Sequence, residues 1–166
     1  MKKLSTIEEK ISIALGQFDN LDDAVIDTCS LIYMTRCGYM ELLSSQIGLH
    51  TIPEVAVESG ISSLTAGIDE VKLPGSSTDE KIVSLAKKRN IAVISDDRKV
   101  LLAAKKENLS YFNSLMMLLY LLNRGNIGVN DYFNYRKQLT GLAHYGVDIL
   151  CFAAEMFKRI HMKQAT

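Results

Sequence analysis

The chain has 166 residues, 48% apolar and 23% charged, which suits one folded domain with a core of its own and excludes a disordered or fibrous class. Basic and acidic residues number 19 each, so the net charge is zero and composition carries no electrostatic signature of nucleic-acid binding. Three cysteines (Cys29, Cys37, Cys151) without C-x-x-C spacing give neither a disulfide framework nor a zinc site. Glu8, Glu9 and Lys10 fall where a signal peptide needs an apolar core. The longest apolar run, Leu115 to Leu122, is far short of the ~18 residues of a membrane span. The expectation is a cytoplasmic protein with no membrane partner.

In chain order, Leu4, Ile7, Ile11 and Leu15 have helical spacing that stops at Gly16. Ala24-Val25-Ile26 is a short strand ending in Asp27. Leu31 to Ile47 reads as helical with a break near Gly38, and Leu49 to Ile52 as a second strand. Pro53 opens a helix that runs to about Gly60. After a loop, Gly67 to Leu73 reads as a strand, and Pro74-Gly75-Ser76 breaks the chain. Ser77 and Glu80 have capping-box spacing ahead of an amphipathic helix that ends in Lys87-Lys88-Arg89. Ile91 to Ile94 is continuously apolar, as a strand buried on both faces of a parallel sheet requires. Asp96 and Asp97 follow it, then a helix over Lys99 to Glu107 and a last strand over Leu109 to Phe112. Asn113 or Ser114 caps an apolar helix to Arg124, and helices over about 130–144 and 147–163 close the chain. Strand alternating with helix predicts an α/β fold, a central parallel sheet covered by helices.

No dinucleotide-binding glycine motif, P-loop or nucleophile elbow is present. Asp27-Thr28-Cys29 lacks the second aspartate of a haloacid-dehalogenase-like phosphatase. What remains is acids at strand ends. Ligands of open α/β sheets bind outside the carboxyl ends of the strands, where Asp27 and Asp96-Asp97 fall, with Asp79 in the first turn of the preceding helix. Close carboxylates repel by ~4 kcal/mol per pair at an effective dielectric near 20. Raised pKa values or divalent cations relieve that repulsion, and all-oxygen donors suit Mg²⁺ or Mn²⁺. Each acid also has an ordinary reading. Asp79 fits the helix dipole, Asp96-Asp97 a turn and cap, and Glu54 and Glu58 the surface of a short helix.

The order Val25-Ile26-Asp27-Thr28-Cys29-Ser30, Ile52-Pro53-Glu54-Val55-Ala56-Val57-Glu58, Asp79-Glu80-Lys81-Ile82-Val83-Ser84-Leu85-Ala86 and Val93-Ile94-Ser95-Asp96-Asp97 resembles the PIN domain family. The nearest branch is that of VapC-like and related prokaryotic PIN nucleases. The match spans about 23–124 of a single domain, with an N-terminal helix over 1–20 and a helical C-terminal extension over 125–166. In place of the D-T-[ST] that ends the family's first strand stands Asp27-Thr28-Cys29, with Ser30 one place on. Ser95 replaces a threonine.

The resemblance implies a three-layer α/β/α fold and a metal-dependent ribonuclease that leaves a 5′-phosphate and a 3′-hydroxyl. It implies Asp27, Glu58, Asp79 and Asp97 as the catalytic and Mg²⁺- or Mn²⁺-holding acids. Asp96 stands beside Asp97 as a further ligand and Glu54 is the second choice to Glu58. Thr28 or Ser30 would orient water. Family members commonly dimerise, and Leu115 to Leu122 would serve either as a dimer face or as core. Two other readings stand beside the nuclease: a toxin whose acidic groove is filled by a small antitoxin, and a non-catalytic PIN-like binding module.

Overall fold

Thr6 starts the first helix of the structure, a computed structural model that describes residues 5–166. Its side chain accepts the amide of Glu9 while Glu9 reaches back to the amide of Thr6, a complete capping box. The helix, α1, covers Ile7–Asp19. Leu4, included in this helix by its spacing, lies outside the described residues. Gly16 does not end the helix. Phe18, two residues further, is 1% exposed and packs its ring on Phe112 and Tyr120 at 5.7 and 5.6 Å. Burial of that ring outweighs the ~1 kcal/mol that a helical glycine costs.

The remaining elements are β1 (Asp23–Ile26), α2 (Thr28–Cys37), α3 (Met40–Ser44), β2 (Gly48–Thr51), α4 (Pro53–Ser59), β3 (Gly67–Ile68) and α5 (Thr78–Arg89). They are followed by β4 (Ala92–Ile94), α6 (Arg98–Lys106), β5 (Tyr111–Phe112), α7 (Ser114–Asn123), α8 (Val129–Leu142) and α9 (Val147–Gln164). Beyond α1, the strand expected over Leu109 to Phe112 covers only Tyr111–Phe112, and α2 and β3 also differ from expectation. Helix α2 begins at Thr28, three residues before its first large apolar side chain, because Asp27 caps it; it ends at Gly38, whose φ of 86° only glycine adopts freely. The strand expected over Gly67 to Leu73 is two residues long. The Asp69 amide makes the last bond to β2, donating to Thr51 at 2.8 Å, while its side chain meets His50 and Arg89 at 3.2 and 2.5 Å.

The five strands are all parallel, in the order β3-β2-β1-β4-β5. From β1 the chain steps outward to β2 and β3, and α5 carries it back to the other side of β1, where β4 and then β5 are laid down. Connections on the two sides of β1 therefore diverge, and the β1/β4 boundary is the topological switch point of the sheet. Both strands at that boundary are apolar and buried throughout Ala24 to Ile26 and Ala92 to Ile94. Helices flank the sheet: α5 packs on α6, β1 and β4, while α2 packs on α4, α7 and α8.

Helix α7 is apolar on every side and is buried on every side, with Leu115, Met117, Leu118, Leu119 and Leu121 fully inaccessible. Helices α8 and α9 cover it. The run Leu115 to Leu122 is thus core and offers no dimer face. Among the described residues, no helix is long and apolar enough to cross a membrane.

Ser77 and Glu80 form the predicted box at the start of α5, where Ser77 accepts the Glu80 amide at 3.2 Å. Ser77→Ala leaves that amide to solvent and is expected to cost about 1 kcal/mol. The check is urea unfolding, with a lower midpoint and an unchanged slope.

Candidate functional site

Register brings the first two side chains together. Ile26 lies opposite Ile94, so β1 and β4 end level and the next residues, Asp27 and Ser95, emerge side by side. The Asp27 amide donates to the Ile94 carbonyl at 2.9 Å, which extends the ladder by one residue. The Asp27 side chain is the N-cap of α2 and is only 5% exposed as a residue. Its Oδ1 accepts the Thr28 amide at 2.7 Å and its Oδ2 the Ser95 hydroxyl at 2.9 Å. Ser95, fully buried, in turn accepts the Asp97 amide at 3.0 Å.

The other acids arrive from neighbouring helix ends. Asp97 caps α6 by accepting the Lys99 amide at 2.8 Å, and Asp79 sits in the first turn of α5. Glu58 stands near the end of α4 and accepts the hydroxyls of Thr28 at 2.9 Å and Thr78 at 3.3 Å. Those threonines are the first residues of α2 and α5. Three helix N-termini therefore present partial positive charge to one rim, which offsets part of the repulsion between its carboxylates.

The offset is incomplete. Burial raises the pKa of Asp27 above its ordinary 3.8, against the pull of the Thr28 and Ser95 hydrogen bonds, and the charges of Asp79 and Asp97 raise it further. Asp79 is raised by burial first, then by Asp97 and Glu58, with Lys99 acting the other way. The thiol of Cys29 is raised by burial and then by Asp27, Asp96, Asp97 and Asp79 together. Among the described residues, none of Asp27, Glu58, Asp79 and Asp97 makes an ion pair.

The remaining candidates are engaged elsewhere. Asp96 turns away from Asp97 and accepts from four donors: Ser30 at 2.6 Å, Tyr145 at 2.7 Å, the Ser114 amide at 3.2 Å and the Ser114 hydroxyl. Its oxygens are saturated by protein, which removes it from the cation-holding set. Ser30 is fully buried and gives its proton to Asp96, so it does not address water at the rim. Thr28 directs its proton to Glu58. Glu54 is paired with Lys81, whose hydrogen bond lowers the Glu54 pKa. That leaves Glu58 as the acid that α4 turns toward the rim.

Sequence reasoning missed three polar groups. Thr78, beside the capping serine of α5, steadies Glu58. Ser114 and Tyr145 hold Asp96 from positions 18 and 49 residues away, and neither carries a local signal of that role.

The donor chemistry of Asp27, Glu58, Asp79 and Asp97 is all-oxygen, anionic and, among the described residues, without ion-pair partners, which fits Mg²⁺ or Mn²⁺. As the side chains stand, no three histidine, cysteine or acidic groups among the described residues are gathered closely enough to hold one ion.

No family model matches the chain, and no curated protein does. Among solved structures, a PilT N-terminus domain protein from the hyperthermophilic archaeon Sulfolobus solfataricus P2 superimposes with a TM-score of 0.40 at 14% identity, over 75% of this chain and 96% of that one.

The two adjacent aspartates are expected to behave differently. Asp96→Ala strands Ser30, Ser114 and Tyr145 and should cost about 3 kcal/mol or more. Asp97→Asn keeps the cap and should cost less than about 1 kcal/mol. Paired denaturant melts decide this. The second expectation concerns pH. The folded Asp27 carboxyl holds its proton above the unfolded value of 3.8, so the native state binds more protons in the interval just above it. Stability in EDTA therefore falls as pH rises through that interval. Asp27→Asn should remove this part of the slope, and melting temperatures of both proteins over that interval measure it.

Proposed function

We propose that this rim is the active site of a PIN-type ribonuclease that hydrolyses RNA phosphodiester bonds with Mg²⁺ or Mn²⁺. The observation that carries the reading is Asp27: a buried carboxylate at the switch point of a parallel sheet, pressed by Asp79 and Asp97, with no basic side chain among the described residues in an ion pair with it. Each of its oxygens accepts one hydrogen bond, from the Thr28 amide and the Ser95 hydroxyl, which leaves carboxylate lone pairs for a cation. The family resemblance of the surrounding motifs points the same way.

Asp27, Glu58, Asp79 and Asp97 would hold the cation. When bound, it supplies Lewis-acid charge at the phosphate and lowers the pKa of water. Ser95 fixes Asp27 by donating to Oδ2 and locks the α6 entry by accepting from the Asp97 amide. Thr28 and Thr78 position Glu58, a role behind the acids in place of direct contact with water. The N-termini of α2, α5 and α6 face the rim, so their dipoles favour an anionic phosphate there. Hydrolysis adds water across the phosphorus–O3′ bond and yields a 5′-phosphate and a 3′-hydroxyl.

Asp27→Asn keeps the volume and an acceptor for the Thr28 amide, and the Ser95 hydroxyl can reverse toward the new amide. Stability should hold or rise, since the repulsion is relieved. Single-stranded RNA cleavage in Mg²⁺ or Mn²⁺ should fall by a factor of about 100 or more, and the upward melting shift on adding Mn²⁺ should disappear. RNA left intact by the wild-type protein with either metal, together with a Mn²⁺ melting shift that survives Asp27→Asn, would overturn the reading in favour of a binding module.

A further inference from the structure

Net charge is zero, yet a polyanion brought to four carboxylates needs positive charge nearby. The structure places such charge at the far end of α2. There α2 and α8 enclose an open cleft of about 770 Å³, lined by Arg36 from α2 and by Asn134, Lys137 and Gln138 from α8. All four are exposed, and neither Arg36 nor Lys137 makes an ion pair among the described residues. Every other lining residue is uncharged, so the cleft is cationic.

A continuous surface connects this cleft to the acidic rim. Cys29, Tyr33 and Arg36 stand at i, i+4 and i+7 of α2, one stripe of the helix, with Cys29 and Arg36 exposed and Tyr33 half-buried. Tyr33 is within electrostatic reach of both Cys29 and Arg36. Cys29 in turn feels all of Asp27, Asp79, Asp96 and Asp97. Along α2, the nine steps from Asp27 to Arg36 span about 13 Å at 1.5 Å per residue. The stripe thus runs from acid cluster to aromatic ring to basic cleft.

We propose that the α2/α8 cleft seats the backbone phosphates of single-stranded RNA a few nucleotides from the scissile bond, with Tyr33 as a stacking surface between. This rests on the ribonuclease reading of the rim and adds the path of its substrate. Cations separated along a groove, flanked by carboxamides and preceded by an aromatic face, are what a flexible phosphate chain with unstacked bases engages. Because α8 belongs to the C-terminal extension, the helices beyond the sheet become part of the substrate surface.

The test measures binding apart from cleavage. Anisotropy of a fluorescein-labelled single-stranded RNA of about twelve nucleotides, a length such clefts accommodate, is titrated in EDTA at several salt concentrations. The protein is Asp27→Asn, alone and with Arg36→Gln plus Lys137→Gln. The double change should weaken binding at least tenfold and reduce the slope of log K against log salt by about 1.4, two phosphate contacts at 0.7 each. Lys105→Gln plus Lys106→Gln, at the end of α6, removes the same charge elsewhere and should leave binding within twofold. Melting should be unchanged for both pairs, since all four side chains are exposed. Equal losses from both pairs, no measurable RNA binding, or equal competition by poly-glutamate would overturn the assignment. If cleavage depends on Asp27 but binding ignores Arg36 and Lys137, the cleft fails and the active-site reading stands. If binding needs the cleft but wild type cuts nothing, the reverse holds.

Discussion

The level ending of β1 and β4 is the constraint on which the rest of the molecule depends. With Ile26 opposite Ile94, Asp27 and Ser95 leave the sheet at the same height, and one hydroxyl serves both the buried carboxylate and the amide that opens α6. A slip of one residue would turn Asp27 into the apolar layer beneath a helix and strand it there. Strong apolar burial on both faces of these two strands is what holds the register. The polar chemistry at the rim is thus positioned by hydrophobic packing several residues away.

Adjacent aspartates at the end of β4 do opposite things. Asp97 faces the rim as a helix cap, while Asp96 faces inward and joins α2, α7 and the α8–α9 connection through Ser30, Ser114 and Tyr145. Hydrogen bonds to a charged group are each worth about 1.5–3 kcal/mol. Asp96 therefore fastens the C-terminal helices to the loop that carries Asp97. Burial, then the neighbouring Asp96 charge, pushes the Tyr145 hydroxyl far above its ordinary range, so this donor keeps its proton at any working pH.

The edge of the sheet at β3 shows a different solution to local weakness. Two paired residues cannot hold a strand by ladder bonds alone. His50 of β2 lies between Asp23, at 2.9 Å, and Asp69, at 3.2 Å, and Arg89 at the end of α5 closes on Asp69 from outside. Side-chain pairing pins the edge where backbone pairing is short, and a short edge also offers little template for strand addition.

Much of this architecture was legible because its causes are local. The apolar runs at Ala24 to Ile26 and Ile91 to Ile94, the Ser77–Glu80 box and the proline at the start of α4 each act within a few residues, and their alternation determined a parallel, helix-covered sheet. Acids at strand ends were legible for the same reason. Three things were not. Whether Gly16 stops α1 was decided by where Phe18 finds Phe112 and Tyr120, almost a hundred residues downstream. Whether Asp96 or Asp97 faces the rim depended on Ser30, Ser114 and Tyr145, which saturate Asp96 and leave Asp97 with only its cap of α6. Whether Glu54 or Glu58 joins it was settled by Lys81 on one side and by Thr28 and Thr78 on the other. Sequence by itself determined the elements and the residues that carry charge. Tertiary structure alone decided which charges meet, because hydrogen-bond saturation and like-charge repulsion act between groups that only folding brings within a few ångströms.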